Sequence, residues 1–158
     1  MAEVLKGRVT DAYEGDIVVF LIGMRVNRFS AVRQWLPVAR AMTPMLAELA
    51  ADPSSGFLGH RMTLAGRGPL LVQYWRSADH LTDYAQSAAG AHRPAWQAFN
   101  ATARAGAGAV GIWHETYVVP AGAHETIYHD MPATGLARVS GHLPVGRRGE
   151  SARDRLQA

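Results

Sequence analysis

The 158-residue sequence contains no cysteine, so neither disulfides nor thiolate chemistry is available to it. It also lacks an apolar run near the roughly 18 residues that a membrane span requires. The best stretch, Ile17–Met24, is closed by Arg25. The first twenty residues carry Glu3, Asp11, Glu14 and Asp16, which is wrong for a secretion signal, and a cytoplasmic location is expected. No G-x-G-x-x-G follows a strand pattern. Gly66-Arg67-Gly68 falls in a turn instead, so flavin or nicotinamide binding of the Rossmann type is not expected. Charge is scarce as well: 18% of residues are charged, and the net charge is +3. Arg147, Arg148, Arg153 and Arg155 against Glu150 and Asp154 put +2 of that in the last twelve residues. A nucleic-acid partner needs basic side chains clustered against phosphates, and the rest of the chain has no such excess. Neither a nucleic-acid nor a membrane partner is expected.

What is present is enough apolar material for one ordinary domain: 48% of the residues are hydrophobic. Residues 1–15 show no sustained period and read as an arm. Asp16–Val26 (DIVVFLIGMRV) reads as a central strand, apolar on both faces apart from Arg25. Gly23 in its middle suggests a bulge or a close approach by something large. Ser30 is a candidate N-cap for a helix over Ala31–Ala51, in which Pro37 and Pro44 should bend the helix or split it. Asp52-Pro53-Ser54-Ser55-Gly56 is a turn signal. Phe57–Leu64 is then a strand with Leu58, His60, Met62 and Leu64 on one face. A hairpin turn at Ala65–Gly68 leads into a strand over Pro69–Trp75. A helical region from Ser77 to Ala105, a strand over Val110–Val119 and a short strand over Ala123–Tyr128 follow. From Met131 Pro, Gly and Arg dominate, and 131–158 reads as an extended, disordered tail.

The order β-α-β-β-α-β is the split-βαβ arrangement, so the fold class expected is α+β, ferredoxin-like, with an antiparallel sheet over residues 16–130. Helices cover one face of such a sheet. The second face is apolar too, and a second copy of the chain is the simplest cover, giving a dimeric α+β barrel with a cavity between sheet and helices.

The segments IVVFLIGMRVNRF, GHR, VQYWRS, HRPAWQAFN, GIWHETYVVPAG and HETIYHDMP resemble a family of monooxygenases related to one of fumagillin biosynthesis. That family lies within the wider antibiotic-biosynthesis-monooxygenase, dimeric α+β barrel group. The resemblance spans residues 13–136. It implies the same fold, a homodimer, a small-molecule pocket and an oxidative role on a hydrophobic, polyketide- or terpenoid-like molecule. The wider group includes cofactor-free oxygenases and haem enzymes, so fold alone does not choose between no cofactor and haem. A non-catalytic ligand-binding module is a further alternative.

Candidate site residues follow from topology. His92 precedes Arg93-Pro94, and Pro94 suits the first turn of a helix; such a histidine is a candidate general base or proximal haem ligand. Trp75, and Arg61 on the neighbouring strand, complete the candidate catalytic set. Alternation sends Trp75 and Tyr74 to opposite faces. Tyr74, Gln73, Arg25, Trp96 and Phe99 are candidate substrate contacts. Arg25, Arg61 and Gln73 bind an anionic oxygen or a haem propionate if they share the inward face, and are rim or interface residues otherwise. His114-Glu115-Thr116 echoes in His124-Glu125-Thr126. Alternation separates His114 from Glu115, so a metal site is disfavoured, and a solvated face of an edge hairpin is the simpler reading.

Overall fold

The computed structural model describes residues 2–87, 97 and 108–157. Its elements are β1 (Val4–Asp11), β2 (Ile17–Val26), α1 (Val32–Ala51), β3 (Phe57–Leu64), β4 (Pro69–Trp75), α2 (Ala78–Gln86) and β5 (Val110–Val119). They are followed by β6 (Tyr128–Pro132), α3 (Gly135–Ser140), β7 (His142–Pro144) and α4 (Ala152–Arg155). The two-sided apolar strand β2 takes the middle of a four-stranded sheet of order β3-β4-β2-β5. Every neighbouring pair in it is antiparallel. This is the expected ferredoxin-like α+β fold: β3–β4 is the hairpin, and helical crossovers return the chain to the sheet.

Register decides which side chains share a face. Val18 lies between Trp75 and Val118, Phe20 between Gln73 and Thr116, and Ile22 between Leu71 and His114. This face meets the helices: Val18 and Trp75 pack with Leu49 of α1 and Leu81 of α2, while Met24, Val26 and Val110 pack under Trp35, Val38 and Ala39. Val19, Leu21, Leu70, Val72 and Tyr74 occupy the opposite face. Gly23 lies there too, and the Trp113 indole covers it so closely that a Cβ would fall inside the ring. The close approach expected at Gly23 is therefore made by Trp113.

Helix α1 runs unbroken through Pro37 and Pro44, so the prolines do not split it. It is preceded by Ala31 rather than capped by Ser30, without a side-chain cap. Ser77 does cap α2, its hydroxyl accepting from the His80 amide. In β3 an irregularity between Phe57 and Gly59 puts Phe57, not Leu58, on the face shared by His60, Met62 and Leu64. The Phe57 ring then meets Trp75 edge-on at 5.2 Å.

The two ends of the chain depart from the sequence reading. The arm expected over 1–15 contains β1, and the strand that follows β5 is Tyr128–Pro132 rather than Ala123–Tyr128. The extended tail expected over 131–158 contains α3, β7 and α4. These pieces form a second antiparallel sheet, β6-β1-β7, fastened by polar side chains. Asp11 is fully buried. Its Oδ1 accepts from the Tyr13 amide and lies 3.2 Å from His124 Nε2, and its Oδ2 accepts from the Thr126 hydroxyl. Arg155 is 5% exposed; it donates to Glu125 and to the carbonyls of Gly149 and Glu150. The second His-Glu-Thr of the echo is thus the fastening of this sheet. Composition misled here because a polar, arginine-rich segment becomes buried when its charge meets a specific partner.

Candidate active site

Between the sheet and the helices lies a cavity of about 350 Å³, within the range of small-molecule sites. Its floor is Phe20, Ile22 and Met24 of β2, Leu71, Gln73 and Trp75 of β4, and Ile112, His114 and Thr116 of β5. Its roof is Pro37, Val38, Ala39, Ala41, Met42, Met45 and Leu46 of α1, with Leu81, Thr82, Tyr84 and Ala85 of α2. Small residues at 39, 41 and 85 keep the helices from filling the space over the sheet. The wall is apolar apart from a few polar side chains.

Some of those are already occupied. The Thr82 hydroxyl donates to the carbonyls of Ala78 and Asp79 within its own helix. Burial, then the neighbouring Glu48 carboxylate and a hydrogen bond to it, push the Tyr84 pKa up to about 12, so its hydroxyl stays neutral. Gln73 is 5% exposed, and its Oε1 accepts from the Trp75 indole N–H at 3.0 Å. His114 stands on β5 at the more open side, its ring 5.5 Å from that of Phe20.

Of the residues singled out in the sequence, Trp75 and Gln73 line the cavity, as alternation allows. Tyr74 points the other way; its hydroxyl and that of Tyr128 lie against Gly135 at the start of α3. Burial raises its pKa, partly offset by Arg61. Arg61 and Arg25 are exposed and lie on the Tyr74 face, paired in register with Val72 and Gly111; Arg25 donates to Asn27. They share a face with each other and not with Gln73, which leaves the rim or interface alternative for both. His92, Trp96 and Phe99 lie outside the described residues. His60 stacks on Phe57 beside the cavity, and burial, then Arg138, push its pKa down.

His114 was visible only as part of the echo. Its inward direction follows from pairing with Ile22, which single-strand alternation does not reveal. Glu115 lies on the opposite face and accepts from the Tyr117 hydroxyl. Among the described residues no three His, Asp or Glu side chains gather closely enough to share a metal ion. No described helix is long and apolar enough to cross a membrane.

A ferredoxin-like sheet whose helix-covered face encloses an apolar cavity defines a small α+β protein with its cavity between sheet and helices. Residues 17–136 match the family model described as monooxygenase af470-like, and the chain belongs to that family. The resemblance read in the six sequence segments is the family found. No curated protein matches the chain significantly. Three solved structures are similar in outline. A conserved protein of unknown function from Bacteroides thetaiotaomicron is 10% identical with a TM-score of 0.48, covering 67% of this chain and 99% of its own. A dimeric protein of unknown function with a ferredoxin-like fold from Bacteroides fragilis is 14% identical with a TM-score of 0.46, covering 65% and 95%. SnoaB, a cofactor-independent oxygenase from Streptomyces nogalater, is 18% identical with a TM-score of 0.43, covering 65% and 91%.

Proposed function

We propose that the chain is a monooxygenase-type oxidoreductase acting on a hydrophobic small molecule held between the sheet and helices α1 and α2. The observation that carries the reading is the apolar cavity of about 350 Å³ with its few polar points. The family supplies the reaction class.

The described lining includes no Arg or Lys to meet haem propionates, which favours the reading without haem. Oxygen then takes its electrons from the substrate. A base removes a proton from an acidic C–H, the carbanion forms a C–O bond to O2, and protonation gives a hydroperoxide. Loss of the second proton with cleavage of the O–O bond leaves a ketone and water. A CH2 group and O2 become C=O and H2O, and no external reductant is needed. An apolar wall serves this chemistry by keeping water from the carbanion.

His114 is our choice for the proton acceptor because it lies on the cavity wall. His92, the residue chosen from sequence, is the alternative. Replacing the true base by Ala should slow turnover by roughly 10² to 10⁴. The homodimer is also proposed here, formed through the face bearing Val19, Leu21, Val72, Trp113 and Tyr117. Trp113 is 40% and Tyr117 51% exposed, and α3 covers only the end of that face near Gly59 and Tyr74.

The test is oxygen uptake by the purified protein over a panel of apolar ketones and phenols, with an absorption spectrum of the same sample. Uptake with no Soret band supports the reading. A Soret band and haem-dependent uptake would replace it with the haem alternative. Binding of panel members without uptake would leave a ligand-binding module.

A further inference from the structure

Gln73 carries an unused pair of donors in an apolar wall. The side chain is 5% exposed, it lines the cavity, and its Oε1 accepts from Trp75 Nε1 at 3.0 Å. An indole nitrogen can only donate, so the amide cannot be turned over without losing this bond. The oxygen must face Trp75, and the NH2 is the end left over. No described residue accepts a hydrogen bond from it. The NH2 is not sealed in protein but reaches the cavity space, where a ligand oxygen can supply the acceptor that the wall does not.

Its surroundings decide what that partner is. In register, Gln73 stands between Phe20 of β2 and His60 of β3. Phe20 is apolar, and the lowered pKa of His60 keeps that ring neutral at neutral pH. Of the cavity's hydroxyls, those of Thr82 and Tyr84 are turned to Ala78, Asp79 and Glu48, and that of Thr116 stands across Phe20 from Gln73. The Gln73 NH2 is therefore a donor on the cavity wall that no described residue engages.

We infer that Gln73 is the specificity-determining contact of the cavity, donating to a carbonyl or oxyanion oxygen on an otherwise apolar ligand, and that Trp75 is the positioning residue that fixes its amide. The inference rests on the cavity being the substrate site. It selects for ligands with an acceptor oxygen and against those that present only a donor at the same place. In the proposed reaction the same contact gathers the negative charge that a carbonyl oxygen acquires when the adjacent C–H loses its proton, so the group that selects the substrate also favours its enolate.

The test compares two probes within each variant, naphthalene and 2-acetylnaphthalene, by titration of the full chain. The change of their affinity ratio between variants reads the acceptor contact, because the size difference between the two probes is common to every variant, and it is insensitive to modest changes in stability. The wild type should bind the ketone about tenfold more tightly than naphthalene. Gln73→Leu should bring the ratio close to one with naphthalene affinity retained. Gln73→Glu should take it below one, because the carboxylate oxygen that faces the cavity repels the carbonyl. Trp75→Phe keeps an aromatic ring but frees the amide, and should lower the ratio without abolishing it. A ratio unchanged in Gln73→Leu and Trp75→Phe would overturn the inference and leave the cavity reading standing. Failure of the wild type to bind either probe would overturn both.

Discussion

The Tyr84 hydroxyl lines the cavity, and its burial against Glu48 pushes its pKa up to about 12. In the unfolded chain it titrates near 10. The folded protein therefore holds a proton that the unfolded chain has lost between those values. The stability contributed by the neutral hydroxyl is complete below pH 10 and disappears as pH rises through about 12. Urea unfolding of Tyr84→Phe should show a shallower loss of stability across that window than the wild type, by up to one proton's worth of slope. Equal slopes would mean the hydroxyl ionises as freely folded as unfolded. The same residue matters to function because a hydroxyl turned to Glu48 is not a donor to the ligand, whereas the Gln73 NH2 is not turned to any described residue. Gln73 and Trp75 were legible in the sequence as neighbours by alternation on one strand. The hydrogen bond between them was not, since side chains two apart on a strand point the same way whether or not they touch.

At the scale of elements, the four strands of the main sheet could be read from their sequences because each is apolar, bounded by turn residues and short. Gly68 at the head of β4 shows how tightly they are set. A Cβ there would land on the backbone carbonyl of Met24, and backbone in the sheet centre cannot move aside as a side chain does. Gly68→Ala should cost about 2–3 kcal/mol by chemical denaturation; a change under half of that would show the hairpin entry to be looser than described. Strand β1 was not legible. Its partners lie more than a hundred residues away, Val4 opposite Pro132 and Val9 opposite Tyr128, and Lys6, Gly7 and Arg8 interrupt any period. The terminal helix α4 was missed for a different reason: four residues carrying two arginines look solvated until Glu125 is placed beside Arg155. The Arg155–Glu125 pair has side chains 4% and 28% exposed. Removing one partner strands a partly buried charge, so Arg155→Ala should lose about 2–3 kcal/mol, somewhat less than for a fully buried pair. Truncation before residue 147 should lower the melting temperature for the same reason, contrary to what a solvated tail would do.

For the whole molecule, the antiparallel α+β sheet and the cavity between sheet and helices were the part of the account that topology alone anticipated. The side of the sheet on which Arg25 and Arg61 fall required the register. Neither arginine reaches the cavity, so oxyanion recognition passes from guanidinium to the Gln73 amide. The proposed homodimer accounts for the exposure of Trp113 and Tyr117 on the second face. Sedimentation at micromolar concentration should give twice the 17.1 kDa chain mass, and Tyr117→Glu should shift the species toward monomer. A wild-type monomer would leave that face without the proposed cover. The claim on which the rest depends is that an apolar molecule is oxygenated inside the cavity. It is tested most directly by turnover under isotopically labelled O2, comparing wild type with Thr116→Trp, which places a large ring at the exposed β5 edge of the cavity without touching the buried core. Oxygenation in the cavity should leave one labelled oxygen in the wild-type product and the other in water, with at least a hundredfold slower turnover in the variant at unchanged fold. Unlabelled product, or a variant that turns over at the wild-type rate, would contradict it.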